Sequence, residues 1–143
     1  MLSITKPGIF LFLLFFLAMT GCSDEMSSIL ADCDNCENQQ PYEAALNVKL
    51  TVNEENPRVP ISIYQGKYEY NNVILNDTLS QENVHYDLPV NKNYSVVARY
   101  KMGNKTVYAI DGDQVKAKNS STYCNTNCWI VTEGNVDVRL KKQ

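Results

Sequence analysis

The chain beyond residue 40 reads as an all-β domain, an antiparallel β-sandwich of about seven to eight short strands. Three observations predict it. Apolar residues alternate with polar ones at a period of two through most of this region. Turn-forming clusters recur about every eight to twelve residues. No window after residue 40 repeats its apolar positions at the helical period.

Ahead of this region, Lys6 is followed by an uncharged apolar run from Ile9 to Met19. The run is the core of a signal peptide and falls well short of the roughly 20 apolar residues needed to cross a bilayer. Residues 1–21 are therefore set aside as a leader. All four Phe residues lie in it, so the core must be built from Val, Ile, Leu, Tyr and Trp129. Met19-Thr20-Gly21-Cys22 resembles the lipobox of bacterial lipoproteins, in which small residues precede a Cys that is acylated before cleavage. The resemblance implies that Cys22 carries the lipid and binds the chain to a membrane. It leaves four of the five Cys, an even number, for the mature chain. Ser23 stands where an Asp would signal inner-membrane retention in enteric lipoproteins, so the resemblance implies the outer membrane. Asp24-Glu25 resembles the acidic export tag of Bacteroidota-type surface lipoproteins, which leaves the cell surface and the periplasmic face both open.

Removing Lys6 with the leader takes the formal charge of −3 to −4. A mildly acidic chain without a basic patch argues against nucleic acid as a partner. Residues 22–40 are polar and acidic and read as a tether. Residues 41–143 suit one domain of ordinary size.

Within that domain, Leu46, Val48, Leu50 and Val52 alternate with polar neighbours and form a first strand with one apolar face. The turn Glu54-Glu55-Asn56-Pro57 leads to Val59, Ile61 and Ile63, alternating with Pro60, Ser62 and Tyr64. Pro60 cannot donate to a ladder and is expected at an edge or bulge. Val73-Ile74-Leu75 is a third apolar stretch, and Val84, Tyr86, Leu88 and Val90 a fourth alternating set. Tyr94, Val96, Ala98 and Tyr100 mark the longest strand, which turns at Met102-Gly103-Asn104 into Thr106 through Ile110 as a hairpin. Asp111-Gly112-Asp113 reads as another turn rather than a metal site. Trp129-Ile130-Val131, a turn at Glu133-Gly134-Asn135, and the set Val136, Val138 and Leu140 complete the domain.

Leu88-Pro89-Val90-Asn91-Lys92-Asn93-Tyr94-Ser95-Val96 resembles a passage found in immunoglobulin-like sandwiches of the fibronectin type III, prealbumin-like and carboxypeptidase-regulatory-like kinds. The resemblance covers about ten residues and implies a tyrosine corner, in which the Tyr94 hydroxyl ties back to upstream backbone. It carries fold and not function.

The remaining Cys form two clusters, Cys33 with Cys36 and Cys124 with Cys128. Export makes disulfides the expected state. Bonds within a cluster close small rings worth roughly 2 kcal/mol each, whereas a bond between clusters closes about 90 residues and is worth roughly 4 to 5 kcal/mol. Bonds between clusters are expected, with Cys33 joined to Cys128 and Cys36 to Cys124. Four thiolates at these spacings could instead hold zinc, but an oxidising compartment converts them to disulfides. A redox role for Cys33-x-x-Cys36 needs a lowered thiol pKa, and Asp32, Asp34 and Glu37 act in the opposite sense. Asp32, Asp34 and Glu43 match three positions of a calcium loop, but Glu37 replaces its glycine and Cys36 an oxygen ligand. His85, the only His, falls on the solvent face of a strand. No nucleophile elbow, phosphate loop or zinc-protease motif occurs.

Nine Tyr are present, and Tyr64, Tyr68 and Tyr70 bracket Gln65-Gly66-Lys67 as a possible binding surface. Asp77-Thr78-Leu79 resembles the short O-glycosylation motif of Bacteroidota-type exported proteins, which would place the sugar on Thr78. The expected protein is a lipid-anchored, non-catalytic binding, adhesion or accessory module with no cofactor, meeting an envelope protein or a glycan. The alternative is an envelope redox or hydrolytic enzyme using Cys33 and Cys36.

Overall fold

The computed structural model describes residues 36–121 and 127–141; the leader, Cys22, Cys33 and Cys124 lie outside them. Eight strands follow in order: β1 (Glu43–Lys49), β2 (Val59–Gln65), β3 (Val73–Leu79), β4 (Asn83–Pro89), β5 (Lys92–Met102), β6 (Lys105–Asn119), β7 (Trp129–Thr132) and β8 (Gly134–Asp137). They form a three-stranded sheet of order β4-β1-β8 and a five-stranded sheet of order β3-β2-β5-β6-β7. The fold is all-β.

Period-two alternation creates the core. Leu46 and Val48 of β1, Leu88 of β4 and Val136 of β8 meet Ile61 and Ile63 of β2, Tyr94, Val96 and Ala98 of β5 and Val115 of β6 in one buried cluster between the sheets. A buried aliphatic side chain of this size contributes about 1.5–3 kcal/mol by leaving water, so the matched inner faces are what hold the two layers together. Trp129 is not part of this cluster. It sits half-buried in the edge strand β7, where its backbone exchanges two hydrogen bonds with Glu37 at 3.0 and 2.8 Å. Tyr100, fully buried, takes the place of a large aromatic inside the core.

Several sequence expectations are corrected. Pro60 lies in β2, a central strand, one residue outside the β2–β5 ladder, which begins at Ile61 opposite Ala98. The bulge falls further along, where Ile63 faces Leu75 and Tyr64 faces Val73, leaving Ile74 as the extra residue. That bulge explains three consecutive apolar residues in a strand whose side chains must alternate. Pairing is antiparallel except for β1 with β8, which run parallel. These two strands are separated by most of the chain, so no hairpin dictates their direction.

Two glycine-containing segments read as turns are strand at their glycines: Asp111-Gly112-Asp113 lies wholly within β6, and in Glu133-Gly134-Asn135 only Glu133 connects strands while Gly134 and Asn135 begin β8. Gly112 lies inside β6, opposite Ser95, and a Cβ there would stand 2.7 Å from the Tyr94 carbonyl oxygen. Gly134 opens β8 directly after the chain steps across from β7, and a Cβ would stand 2.6 Å from Leu46 Cδ1 and 3.3 Å from Val115 Cγ2. Both glycines serve close approach within the sheets and not chain reversal.

Candidate functional site

The sandwich has two open sides, and carboxylates staple both. On one, the Tyr86 hydroxyl of β4 donates to Asp77 Oδ2 of β3 at 2.8 Å. Burial, and then the adjoining Asp77 carboxylate, raise the Tyr86 pKa far above the ordinary phenol value. On the other, the Asn135 and Asp137 amides of β8 donate to Asp113 Oδ2 and Asp111 Oδ2, each at 2.8 Å. These two amides lie on the side of β8 away from β1, where an edge strand is otherwise unpaired. Asp111 and Asp113 alternate along β6, so both point to the same side. Their role is to close an edge.

Tyr94, fully buried on β5, donates its hydroxyl to the Pro89 carbonyl five residues upstream at 2.7 Å. This bond ties the end of β4 in one sheet to the start of β5 in the other. Asn91, at φ 60°, makes the reversal between them, with its Oδ1 accepting from Ala117 N at 3.1 Å. Tyr100 makes a second buried tie, donating to the Val138 carbonyl at 2.8 Å and accepting from Thr51 N at 3.2 Å. Burial raises the pKa of both phenols.

Cys36 is joined to Cys128 across 92 residues, with their Cα atoms 5.1 Å apart. The bond links the two cysteine clusters, but in a different order from the one expected, which paired Cys36 with Cys124 and Cys33 with Cys128. The reason is local. Glu37 and Trp129 pair as an isolated antiparallel bridge, which holds the two segments together where Cys36 and Cys128 each adjoin it. Residues 36 and 37, which composition assigns to the tether, are thereby fixed to the sandwich.

The outward face of the five-stranded sheet carries the remaining chemistry. Alternation sends Arg58, Pro60, Ser62 and Tyr64 outward from β2 and the residue before it, Val97 and Arg99 from β5, and Tyr108 and Ile110 from β6. Arg99 faces Tyr108 across the ladder and Val97 faces both Ile110 and Ser62. Tyr108 and Ile110 are 59 % and 45 % exposed. A shallow groove of about 620 Å³ runs over this face, lined by Arg58, Ser62, Tyr64, Thr78, Arg99 and Tyr108 among others. A second hollow of about 420 Å³ shares Arg58, Pro60, Arg99 and Tyr108 with it and continues past Lys101.

Among the described residues the ion pair is Arg139 with Asp137, and Arg58, Arg99 and Lys101 form none. The acids at this face are already engaged: Asp77 accepts from Tyr86 and from Thr78 N, and Glu55 accepts from Gly103 N. A larger groove of about 840 Å³, between β6 and residues 137–141, also opens at the surface. Its acids, Asp111 and Asp137, are held by β8 and by Arg139.

Of the three tyrosines singled out from sequence, Tyr64 lines the sheet-face groove, whereas Tyr68 and Tyr70 lie in a 3-10 turn between β2 and β3 and do not. Tyr70 is 73 % exposed and lies against Gly66. Thr78 is exposed on the edge strand β3 and also lines the groove. His85 is exposed on β4 opposite Asn47, away from this face. Arg58, Arg99 and Tyr108 escaped the sequence reading. Their signal was present in the residues alternating with the core set of β5, since Val97 and Arg99 fill outward positions between Tyr94 and Tyr100. Comparison with family models, with curated proteins and with solved structures finds no match for this chain.

Proposed function

We propose that the protein is a non-catalytic binding module, held at the outer membrane through a lipid on Cys22, that meets its partner with the outward face of the five-stranded sheet. The observation that carries this reading is the sheet face itself. Tyr64, Tyr108, Arg58 and Arg99 share one continuous groove, and the two arginines form no ion pair among the described residues. Exposed aromatic and arginine side chains supply most of the energy at binding surfaces, because they offer large contact area and directional hydrogen bonds at modest entropic cost. The Cys36–Cys128 bond weighs against the redox alternative. A C-x-x-C oxidoreductase cycles a local disulfide, whereas the Cys36 sulfur is bonded to Cys128, 92 residues away.

Within the sandwich class, the strand order favours the prealbumin-like or carboxypeptidase-regulatory-like resemblance. The first two strands of an immunoglobulin constant domain share a sheet, whereas β1 and β2 here lie in different sheets.

Two measurements test the proposal. Metabolic labelling with a palmitate analogue is expected to mark the wild type and not Cys22→Ser; equal labelling of the two opposes the anchor. Titration of free thiols in the unreduced, full-length protein is expected to find none after lipidation of Cys22. Two reactive thiols that turn over a disulfide substrate support the enzyme instead.

A further inference from the structure

We infer that the sheet-face groove binds an acidic oligosaccharide, its anionic groups received by Arg58 and Arg99 and its sugar rings laid against Tyr64 and Tyr108. This rests on the reading of the face as a binding surface and names the class of ligand.

Charge is the first argument. The chain carries a formal −3, yet Arg58, Arg99 and Lys101 gather along two joined hollows without an ion pair among the described residues. The two acids at the same face, Asp77 and Glu55, keep their charge but accept from Tyr86, Thr78 N and Gly103 N and form no ion pair with these cations, which outnumber them. A planar guanidinium left unpaired offers a bidentate fork that matches a carboxylate or sulfate.

The second argument is the kind of lining. Ser62 stands on β2 between Arg58 and Tyr64, with Asn76 and Thr78 beside it on β3, and Asn76 Oδ1 accepts from Ser62 Oγ at 2.6 Å, so its amide N–H groups are not used in that bond. Small hydroxyls and amides beside exposed aromatic rings suit a ligand built of hydroxyl groups and apolar C–H faces. An extended peptide is recognised through its backbone at a sheet edge. This groove runs from the edge strand β3 across β2 and β5 to β6, and at its centre β2 and β5 are paired on both sides with their amides and carbonyls already in ladders. Over that centre only side chains are on offer.

Extent is the third. Tyr64 aligns with Ser95 and Gly112, and Tyr108 lies two strands across and four residues along from Tyr64. Strand spacing and rise put the two rings' Cα atoms roughly 17 Å apart. An oligosaccharide spans that distance and a single sugar does not.

The test follows amide shifts by NMR on the full-length chain in detergent micelles, with four probes: oligogalacturonate, its methyl ester, a sulfated dextran oligomer and an oligoglutamate peptide. The inference expects oligogalacturonate or the sulfated oligomer to shift β2, β5 and β6 amides around Ser62, Val97 and Tyr108. Arg58→Gln and Arg99→Gln should each weaken binding about tenfold, and added salt should weaken it further. The carboxylated and sulfated arms separate the two sources of anionic charge. Equal binding of the methyl ester, retained by both arginine variants and lost in Tyr64→Ala, overturns the acidic ligand and leaves the binding face standing. Binding of oligoglutamate alone overturns the saccharide. Shifts confined to other surfaces, or none with any probe, overturn the face as a binding site as well. Unchanged folding of the variants is checked by the dispersion of the core Val96 and Val136 resonances.

Discussion

Tyr94 and Tyr100 show how single polar atoms organise an apolar core. Each ring is buried, and each hydroxyl reaches a backbone carbonyl, Pro89 for Tyr94 and Val138 for Tyr100. Removing either hydroxyl strands a carbonyl that has lost its water. Tyr94→Phe and Tyr100→Phe should each destabilise the domain by about 1–2 kcal/mol in urea denaturation, whereas Tyr108→Phe, on the exposed face, should stay within about 0.5 kcal/mol. The same phenols predict the alkaline limit. Tyr86, Tyr94 and Tyr100 all have raised pKa values, burial being the largest cause in each. The fold thus favours their neutral forms. Their stabilisation is complete below the ordinary phenol pKa of about 10 and is lost as pH rises above it. Absorbance titration should show Tyr86, Tyr94 and Tyr100 ionising late, together with cooperative unfolding. A single class near the ordinary pKa contradicts these burials.

At the level of elements, β6 is the strand on which the architecture turns. It pairs with β5 and β7, and through Asp111 and Asp113 it also caps the free edge of β8 in the opposite sheet. Gly112 between them permits β6 to lie close to β5, since a Cβ would press on the Tyr94 carbonyl. Gly112→Ala should cost about 1–3 kcal/mol, because backbone rather than a flexible side chain must move. Combined Asp111→Ala and Asp113→Ala should speed hydrogen exchange at the Asn135 and Asp137 amides selectively, while amides of the β5–β6 hairpin keep their protection. Uniform loss of protection would mean the aspartates serve the whole sandwich and not the edge of β8. Asn56 acts in a similar way at the other end of β5. Its side-chain amide pairs with the backbone of Lys101, accepting at 2.7 Å and donating at 3.0 Å, as a neighbouring strand would.

For the whole molecule, the Cys36–Cys128 bond closes 92 residues, nearly the entire sandwich, into one loop. Restricting an unfolded chain of that loop length is worth about 4.6 kcal/mol in the chain-entropy account. Replacing both residues by Ser should lower stability by roughly 2–5 kcal/mol without changing the strand order. Proteolysis of the unreduced protein followed by mass spectrometry should recover a peptide pair carrying Cys36 and Cys128. A pair carrying Cys36 and Cys124 would contradict the Cys36–Cys128 link.

Local alternation determined a great deal of this protein. The inward sets of β1, β2, β5 and β8, the two-residue reversal at Gly103-Asn104, and the Leu88 to Tyr94 passage with its buried phenol are all readable from residue order, because a strand buried on one face must repeat every two residues. What residue order left open is everything settled between strands distant in the chain. Nothing local distinguishes Asp111-Gly112-Asp113 in a turn from the same residues capping β8, or Cys36 facing Cys128 from Cys36 facing Cys124. The outward groove is the same kind of feature. Arg58, Tyr64, Arg99 and Tyr108 come from separate strands, and only the register of β2 on β5 and of β5 on β6 brings them onto one surface.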